Sequence, residues 1–178
     1  MSTLEVKAIQ APTGYDLQMP AGHILQTVST TKTDTWTYTG ANFQDVTGLS
    51  ATITPTSSSS KILVQVNVNF VGSMRYWGAI LVRGSTQIGG GTAVGNRPSV
   101  SVAGGSNQDE TNDEYVMRNS SFSFLDSPST TSSTTYKVQI GNTHETTSTV
   151  YVNRSETDAD ATYGHRGSST ITLMEVAG

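Results

Sequence analysis

Cysteine is absent from the 178-residue chain, and charged residues make up only 13% of it. Without cysteine the chain has no disulfide framework, no thiolate metal site and no cysteine nucleophile. No apolar run approaches the roughly 18 residues of a membrane span, and the sequence does not open with the basic start and apolar core of a secretory signal. The net charge of −4 argues against a surface that binds nucleic-acid phosphates. We therefore expect a protein that is made in a cytoplasm.

Serine and threonine take the place of charge and fill more than a quarter of the positions. Both form helices less readily than alanine, leucine or glutamate, and no stretch shows apolar residues at helical spacing. Short segments instead alternate apolar and polar residues, a pattern typical of half-buried β-strands. The clearest is residues 61–70, where apolar side chains share one face and Gln65, Asn67 and Asn69 share the other.

About eight to ten such segments follow one another and predict an all-β sandwich or barrel. They are residues 23–31, 35–38, 49–53, 61–70, 77–83, 121–124, 136–140, 150–152 and 170–173. The polar connection after residue 53 is rich in proline and serine, which favour turns. We expect it to join segments 49–53 and 61–70 as an antiparallel hairpin.

The first 22 residues differ from the rest of the chain. Leu4 and Val6 alternate with charged residues as in a short strand, and proline and glycine then interrupt the segment. Because it is too short to have its own core, residues 1–22 are predicted to be an anchoring arm with Leu4, Val6 and Ile9 as apolar contacts. An unstructured terminus is the alternative. Residues 23–178 form the predicted head domain.

Nothing in the sequence amounts to an enzyme or metal signature. His23, His144 and His165 lie too far apart for metal-ligand spacing, although one histidine per chain could bind a metal on a symmetry axis. The acidic stretch 109–114 is typical of a solvated loop, and there is no nucleophile elbow or phosphate-binding loop. We expect no catalytic residue, no cofactor and no metal.

Candidate contact residues come from loops that carry arginine and aromatic side chains, the residues that concentrate binding energy at interfaces. Such rings also suit the apolar faces of sugars. The candidates are Arg75, Tyr76, Trp77, Arg97, Arg154 and Arg166, the last two at the ends of a long loop. The alternatives are that Tyr76 and Trp77 plug the end of the sandwich and that the loop is merely solvated.

Four stretches stand out when they are taken in order along the chain. They are LEVKAIQAPTGYDLQMPAGHILQ, DVTGLSATITPTSSSSKILVQVNVNF, AILVRGSTQIGGG and SSTITLMEVAG. In order and spacing they resemble a group of tailed-bacteriophage virion proteins, frequent in marine and cyanobacterial phages, that includes tail-fibre ends and other surface appendages. The resemblance covers nearly the whole chain and carries no catalytic motif.

The resemblance implies a jelly-roll-like β-sandwich, similar to the heads of tumour necrosis factor and C1q, that assembles as a homotrimer. The nearly apolar segment 79–82 fits this assembly, because a neighbouring subunit could cover its second face. The implied location is the virion surface, as a tail or capsid appendage assembled in the bacterial cytoplasm. A start at its own Met and a short arm favour a small separate subunit.

The function implied is structural and non-enzymatic: a tail-fibre-type adhesin whose loops contact host-surface glycans. Its partners would be its own copies and, through the arm, other virion proteins, with no nucleic acid and no membrane insertion. One alternative is a capsid decoration or head-fibre protein anchored by the arm. Another is a small polysaccharide-degrading enzyme, which would need a carboxylate pair across a groove.

Overall fold

The computed structural model describes residues 19–73, 76–104, 115–144 and 147–178. Eleven β-strands and no α-helix are found in these ranges, which confirms the all-β prediction. The strands are β1 (Ile24–Lys32), β2 (Trp36–Gly40), β3 (Gln44–Ile53), β4 (Lys61–Gly72), β5 (Trp77–Arg83), β6 (Thr86–Ile88), β7 (Val102–Gly104), β8 (Arg118–Asp126), β9 (Thr134–Asn142), β10 (Ser148–Val152) and β11 (Ser169–Val176). The predicted arm contacts Leu4, Val6 and Ile9 lie outside the described residues.

The strands pair as one long antiparallel hairpin that is folded over on itself. β1 pairs with β11, β2 with β10, β3 with β9, β4 with β8, and β5 with both β6 and β7. This nesting of first strands with last strands is the winding of a jelly roll. Further pairs of β4 with β10 and β11, and of β5 with β9, gather the hairpin into two sheets.

The two sheets form a sandwich, as the sequence predicted. Sheet A has six strands in the order β1-β11-β4-β10-β2, with β8 on the other edge of β4. Sheet B has five strands in the order β3-β9-β5-β6, with β7 also paired to β5. The arrangement confirms a jelly-roll-like β-sandwich.

The predicted hairpin between segments 49–53 and 61–70 is wrong. β3 pairs with β9 in sheet B, whereas β4 lies in sheet A between β8 and β11. Residues 54–60 therefore cross from one sheet to the other. The apolar sides of both strands still meet, because they face the same core from opposite sheets.

The core is filled by alternating side chains from both sheets. Val64, Val66 and Val68 of β4 are buried and belong to one cluster with Leu81 of β5 and Val138 of β9. Each such side chain contributes roughly 1.5–3 kcal/mol when it leaves water. The period-two pattern of the sequence thus places one face of each long strand in the core.

The chain itself covers the outer face of β5. Ile80 and Val82 point away from the core but are only 5% and 3% exposed. The connection between β6 and β7 lies over this strand: Val100 packs against Gly78, where an added Cβ would lie 2.6 Å from the valine Cγ1. Ser101 N donates to Ala79 O at 2.9 Å, which fixes the end of this connection along the edge of β5. A neighbouring subunit is therefore not needed to bury this face, and the apolar strand is no argument for a trimer.

Glu175 is a fully buried carboxylate at the closure between β1 and β11. Gln26 Nε2 donates to one carboxylate oxygen at 2.6 Å, and Thr56 donates to the other from its backbone N and from its Oγ1, both at 2.7 Å. Burial alone raises the pKa of Glu175, but the hydrogen bonds from Gln26 and Thr56 outweigh it and hold the pKa below its ordinary value of 4.5. The carboxylate ties β1, β11 and the 54–60 connection together.

We predict that Glu175→Gln lowers the free energy of unfolding at pH 7 by about 1–3 kcal/mol, because the amide nitrogen that replaces one carboxylate oxygen faces a hydrogen-bond donor and cannot accept from it. The contribution of the carboxylate is fully present above the ordinary pKa and is lost as the pH falls through the lowered pKa of the folded state. Urea unfolding of both proteins should therefore show a difference that shrinks on acidification. Asp160→Asn, at an exposed carboxylate, is the matched control. Equal stabilities of the two proteins at neutral pH would show that the Glu175 carboxylate does not hold β1, β11 and the 54–60 connection together.

Candidate functional site

Tyr76 lies at the end of the sandwich where β4 ends and β5 begins, here called the apical end. Its side chain is 51% exposed, and its ring stacks on the ring of His144 with centroids 4.9 Å apart. Thr143 donates twice to the Tyr76 carbonyl oxygen, from its backbone N at 2.7 Å and from its Oγ1 at 2.8 Å. Tyr76 and His144 together are called the apical pair.

The backbone of Tyr76 has a φ of +77°, in the region that favours glycine. For an L-residue this conformation costs roughly 1–2 kcal/mol, and it persists only where the surroundings enforce it. The two hydrogen bonds from Thr143 are the enforcing contacts. Backbone strain that holds an aromatic ring half in solvent is typical of a binding site.

Trp77 does not share this surface. Its side chain is 0% exposed and belongs to the core cluster. Its indole lies over Gly72, where any Cβ would overlap it, and the indole Nε1 has no hydrogen-bond partner among the described residues. The contact role expected for Trp77 does not fit this burial, and Arg75 lies outside the described residues.

The long loop with the predicted arginines leaves sheet A between β10 and β11. These strands follow each other along β4, since Val152 pairs with Phe70 and Thr170 pairs with Asn67. An isolated bridge between Arg154 and Arg166 closes the loop. The loop thus projects from within the sheet, not from an end of the sandwich.

Asn153 anchors the base of this loop. It is fully buried and has a φ of +61°. Its Nδ2 donates to the carbonyl oxygens of Lys32 at 2.9 Å and Asp34 at 3.0 Å, and its Oδ1 accepts from Ser169 Oγ at 2.6 Å. The predicted loop is therefore fixed to the sheet at its root.

The two arginines have different surroundings. Arg154 donates to the carbonyl oxygens of Ser155 at 2.9 Å and Glu156 at 2.6 Å, and its guanidinium lies 4.7 Å from the centre of the Tyr151 ring. These contacts stabilise the fold of the loop.

Arg166 is 55% exposed and forms an ion pair with Asp158. Its hydrogen bond holds the pKa of that carboxyl below its usual range. Arg166 is therefore the more accessible of the two arginines.

Arg97 lies apart from the other candidates. Its backbone N donates to Val94 O at 3.1 Å and closes a turn in the connection between β6 and β7, on sheet B. The described candidates thus fall on three surfaces: the apical end, the loop on sheet A and the turn on sheet B. They do not form one patch.

A larger polar surface lies on the outer face of sheet A and is here called the polar platform. Its side chains come from β4, β8 and β11 and are all uncharged. They are Gln65, Asn67, Asn69, Asn119, Ser121, Ser123, Thr170 and Thr172. Most of them line a shallow depression of about 450 Å³. In the sequence, the alternation of residues 61–70 predicts that three of these side chains face water. For the side chains from β8, the sequence signal is the alternation of serine and phenylalanine over residues 121–124.

Among the residues that the structure describes, no group of three or more histidine, aspartate or glutamate side chains could hold a metal ion. In the same ranges no helix is long and apolar enough to cross a membrane. The acidic stretch 109–114 lies outside them. Asp158 is not the only described carboxylate that is paired with a cation: Asp34 pairs with Lys32 at 2.7 Å, and Asp45 with Lys137 and Asp126 with Arg83 pair at 2.8 Å.

No family model matches the chain, and no curated protein matches it. Similar solved structures include infectious bursal disease virus of the Gt strain, with a TM-score of 0.42 and 12% identity, and the VP2 subviral particle of that virus, with a TM-score of 0.40 and 12% identity. Each match covers 97% of this chain but only 43% and 42% of the viral chain. The chain thus spans less than half the length of these viral chains, and a similarity this weak adds nothing to the assignment of the fold. The strand pairing alone defines the class as a jelly-roll-like β-sandwich.

We predict that Tyr76→Gly is more stable than Tyr76→Ala by about 1 kcal/mol, because both lose the stacking on His144 but only glycine relieves the positive φ. Urea unfolding of the two variants measures the difference. Gly84→Ala, at a φ of +60° with open space around it, gives the reference loss for the same backbone conformation. Equal stabilities of the Gly and Ala variants would show that residue 76 is not strained.

Proposed function

We propose that this chain is a non-enzymatic structural protein of a bacteriophage virion surface, a tail-fibre-type adhesin that binds host-surface glycans as a homotrimer. Three observations support the proposal: the four stretches that resemble such proteins, the jelly-roll winding, and the recognition surfaces at the apical end and on sheet A. In this proposal the arm with Leu4, Val6 and Ile9 attaches the subunit to other virion proteins.

The apical pair is the observation that carries the proposal. An exposed tyrosine at a positive φ destabilises the fold, so its presence indicates a role for the ring in solvent. Tyrosine concentrates binding energy at interfaces, and its ring offers an apolar face with a polar edge. A sugar ring, with an apolar face and a rim of hydroxyl groups, is complementary to that surface.

Trimerisation would compensate for weak binding at each site. A single exposed aromatic pair with a few hydrogen bonds gives modest affinity, whereas linked sites bind a repetitive surface through high effective concentration. Bacterial surface polysaccharides are repetitive in this way. Arg166 and Arg97 remain secondary contacts in the proposal, because both are exposed, and Arg154 acts by holding its loop.

We expect the fluorescently labelled full chain to adsorb to at least one strain in a panel of marine cyanobacteria. Tyr76→Ala should reduce that adsorption at least tenfold, which corresponds to a loss of about 1.4 kcal/mol at the contact. Thr52→Ala is the control, since Thr52 is exposed on sheet B and belongs to none of the candidate contact surfaces, and it should adsorb like the parent.

Two results would overturn this proposal. In the first, Tyr76→Ala and Thr52→Ala adsorb equally to every strain, so that the apical pair plays no part. In the second, the parent adsorbs to no strain but binds purified empty phage capsids, which is the behaviour of a decoration protein.

A further inference from the structure

We propose that the polar platform is a binding site for a neutral polysaccharide chain. This inference extends the proposed function to a second surface. It rests on the proposed function only for the class of the ligand, which is a glycan. It concerns a different surface from the apical pair and is argued from different contacts.

The platform is a regular grid. The registers of sheet A place Ser121 and Thr170 on either side of Asn67, and Ser123 and Thr172 on either side of Gln65. Adjacent strands lie about 4.8 Å apart, and residues two apart on a strand are separated by about 6.7 Å. The side chains therefore present rows of hydrogen-bonding groups at fixed spacing on a rigid scaffold.

The central side chains hold one another in place. Asn119 Nδ2 donates to Asn67 Oδ1 at 2.7 Å and to Asn69 Oδ1 at 3.0 Å, and Asn67 Nδ2 donates to Ser121 Oγ at 3.0 Å. At the end of the grid, Asn69 Nδ2 donates to the carbonyl oxygen of Ser168, at the root of the loop between β10 and β11. Because these groups are ordered before any ligand arrives, binding needs little further ordering.

The chemistry of the platform selects the ligand. Every side chain on it both donates and accepts hydrogen bonds, as do the hydroxyl groups of a neutral sugar. A phosphate, sulfate or carboxylate sugar is bound most strongly by arginine or lysine, and none of the eight platform residues is charged. A protein partner or a second copy needs aromatic or apolar anchors at the centre of its interface, whereas the apolar side chains of this face, Leu63, Leu125 and Met174, form the next row beyond Gln65, at one end of the grid. A neutral, hydroxyl-rich chain is the occupant that fits.

The experiment is affinity electrophoresis of the full chain in gels that contain dextran or laminarin, which are neutral, or alginate, which is acidic. We expect retardation by at least one neutral polysaccharide and none by alginate. The double variant Asn67→Ala/Asn119→Ala should weaken that retardation at least tenfold. The matched control is Thr52→Ala/Thr135→Ala, which removes an exposed cross-strand pair, with hydroxyl oxygens 2.8 Å apart, from sheet B. It should be retarded like the parent.

The thermal midpoint of each variant, measured by circular dichroism, shows whether that variant is folded. If the double variant is unfolded, the single variant Ser121→Arg takes its place in the same gels. Retardation of the folded platform variant equal to that of the parent overturns this inference, and so does retardation of the parent by alginate alone. If Tyr76→Ala abolishes retardation while the platform variant does not, the proposed function stands and the platform is not its site. If the platform variant changes the mass of the protein in solution, the platform is an interface between copies and the inference fails.

Discussion

The pairing of the first strand with the last closes this fold, because every other antiparallel pair of the nested hairpin lies inside it. β1 and β11 face each other from Ile24 with Val176 to Lys32 with Ser169, so the closure joins residues about 140 positions apart. Closing so long a loop costs only slightly more entropy than closing a short one, but such non-local pairing is slow to form. Glu175 contributes to the closure from within, since its carboxylate accepts hydrogen bonds from β1 and from the 54–60 connection.

The pairing of β1 with β11 also determines which side chains face solvent. The apolar residues on the inner faces of the strands fill the core, and the chain covers the outer face of β5 by itself. The middle of the outer face of sheet A is an uncharged grid of amide and hydroxyl groups, and the apolar side chains of Leu63, Leu125 and Met174 lie beside it on the same face. In the proposed function, recognition by these surfaces depends on many weak hydrogen bonds and a few aromatic contacts.

The alternation of apolar and polar residues predicted the long strands because it is a local property of one segment, set by its two opposite faces. It could not reveal their partners: β3 and β4 are adjacent in sequence yet lie in different sheets. Burial of Trp77 depends on the absent side chain of Gly72, and burial of Glu175 depends on Thr56, 119 positions away. Of the candidate site, the sequence indicated Tyr76, Arg166 and one strand of the polar platform. The stacking of His144 and the contribution of β8 arise only when distant strands pair.

The proposed function depends on three linked copies that bind together, and the mass of the full chain in solution shows whether they form. Light scattering at micromolar concentration should give about 57 kDa, three times the 18.9 kDa of one chain. Three linked copies would then give the avidity that a polar surface requires. A mass of 18.9 kDa would contradict the proposed homotrimer.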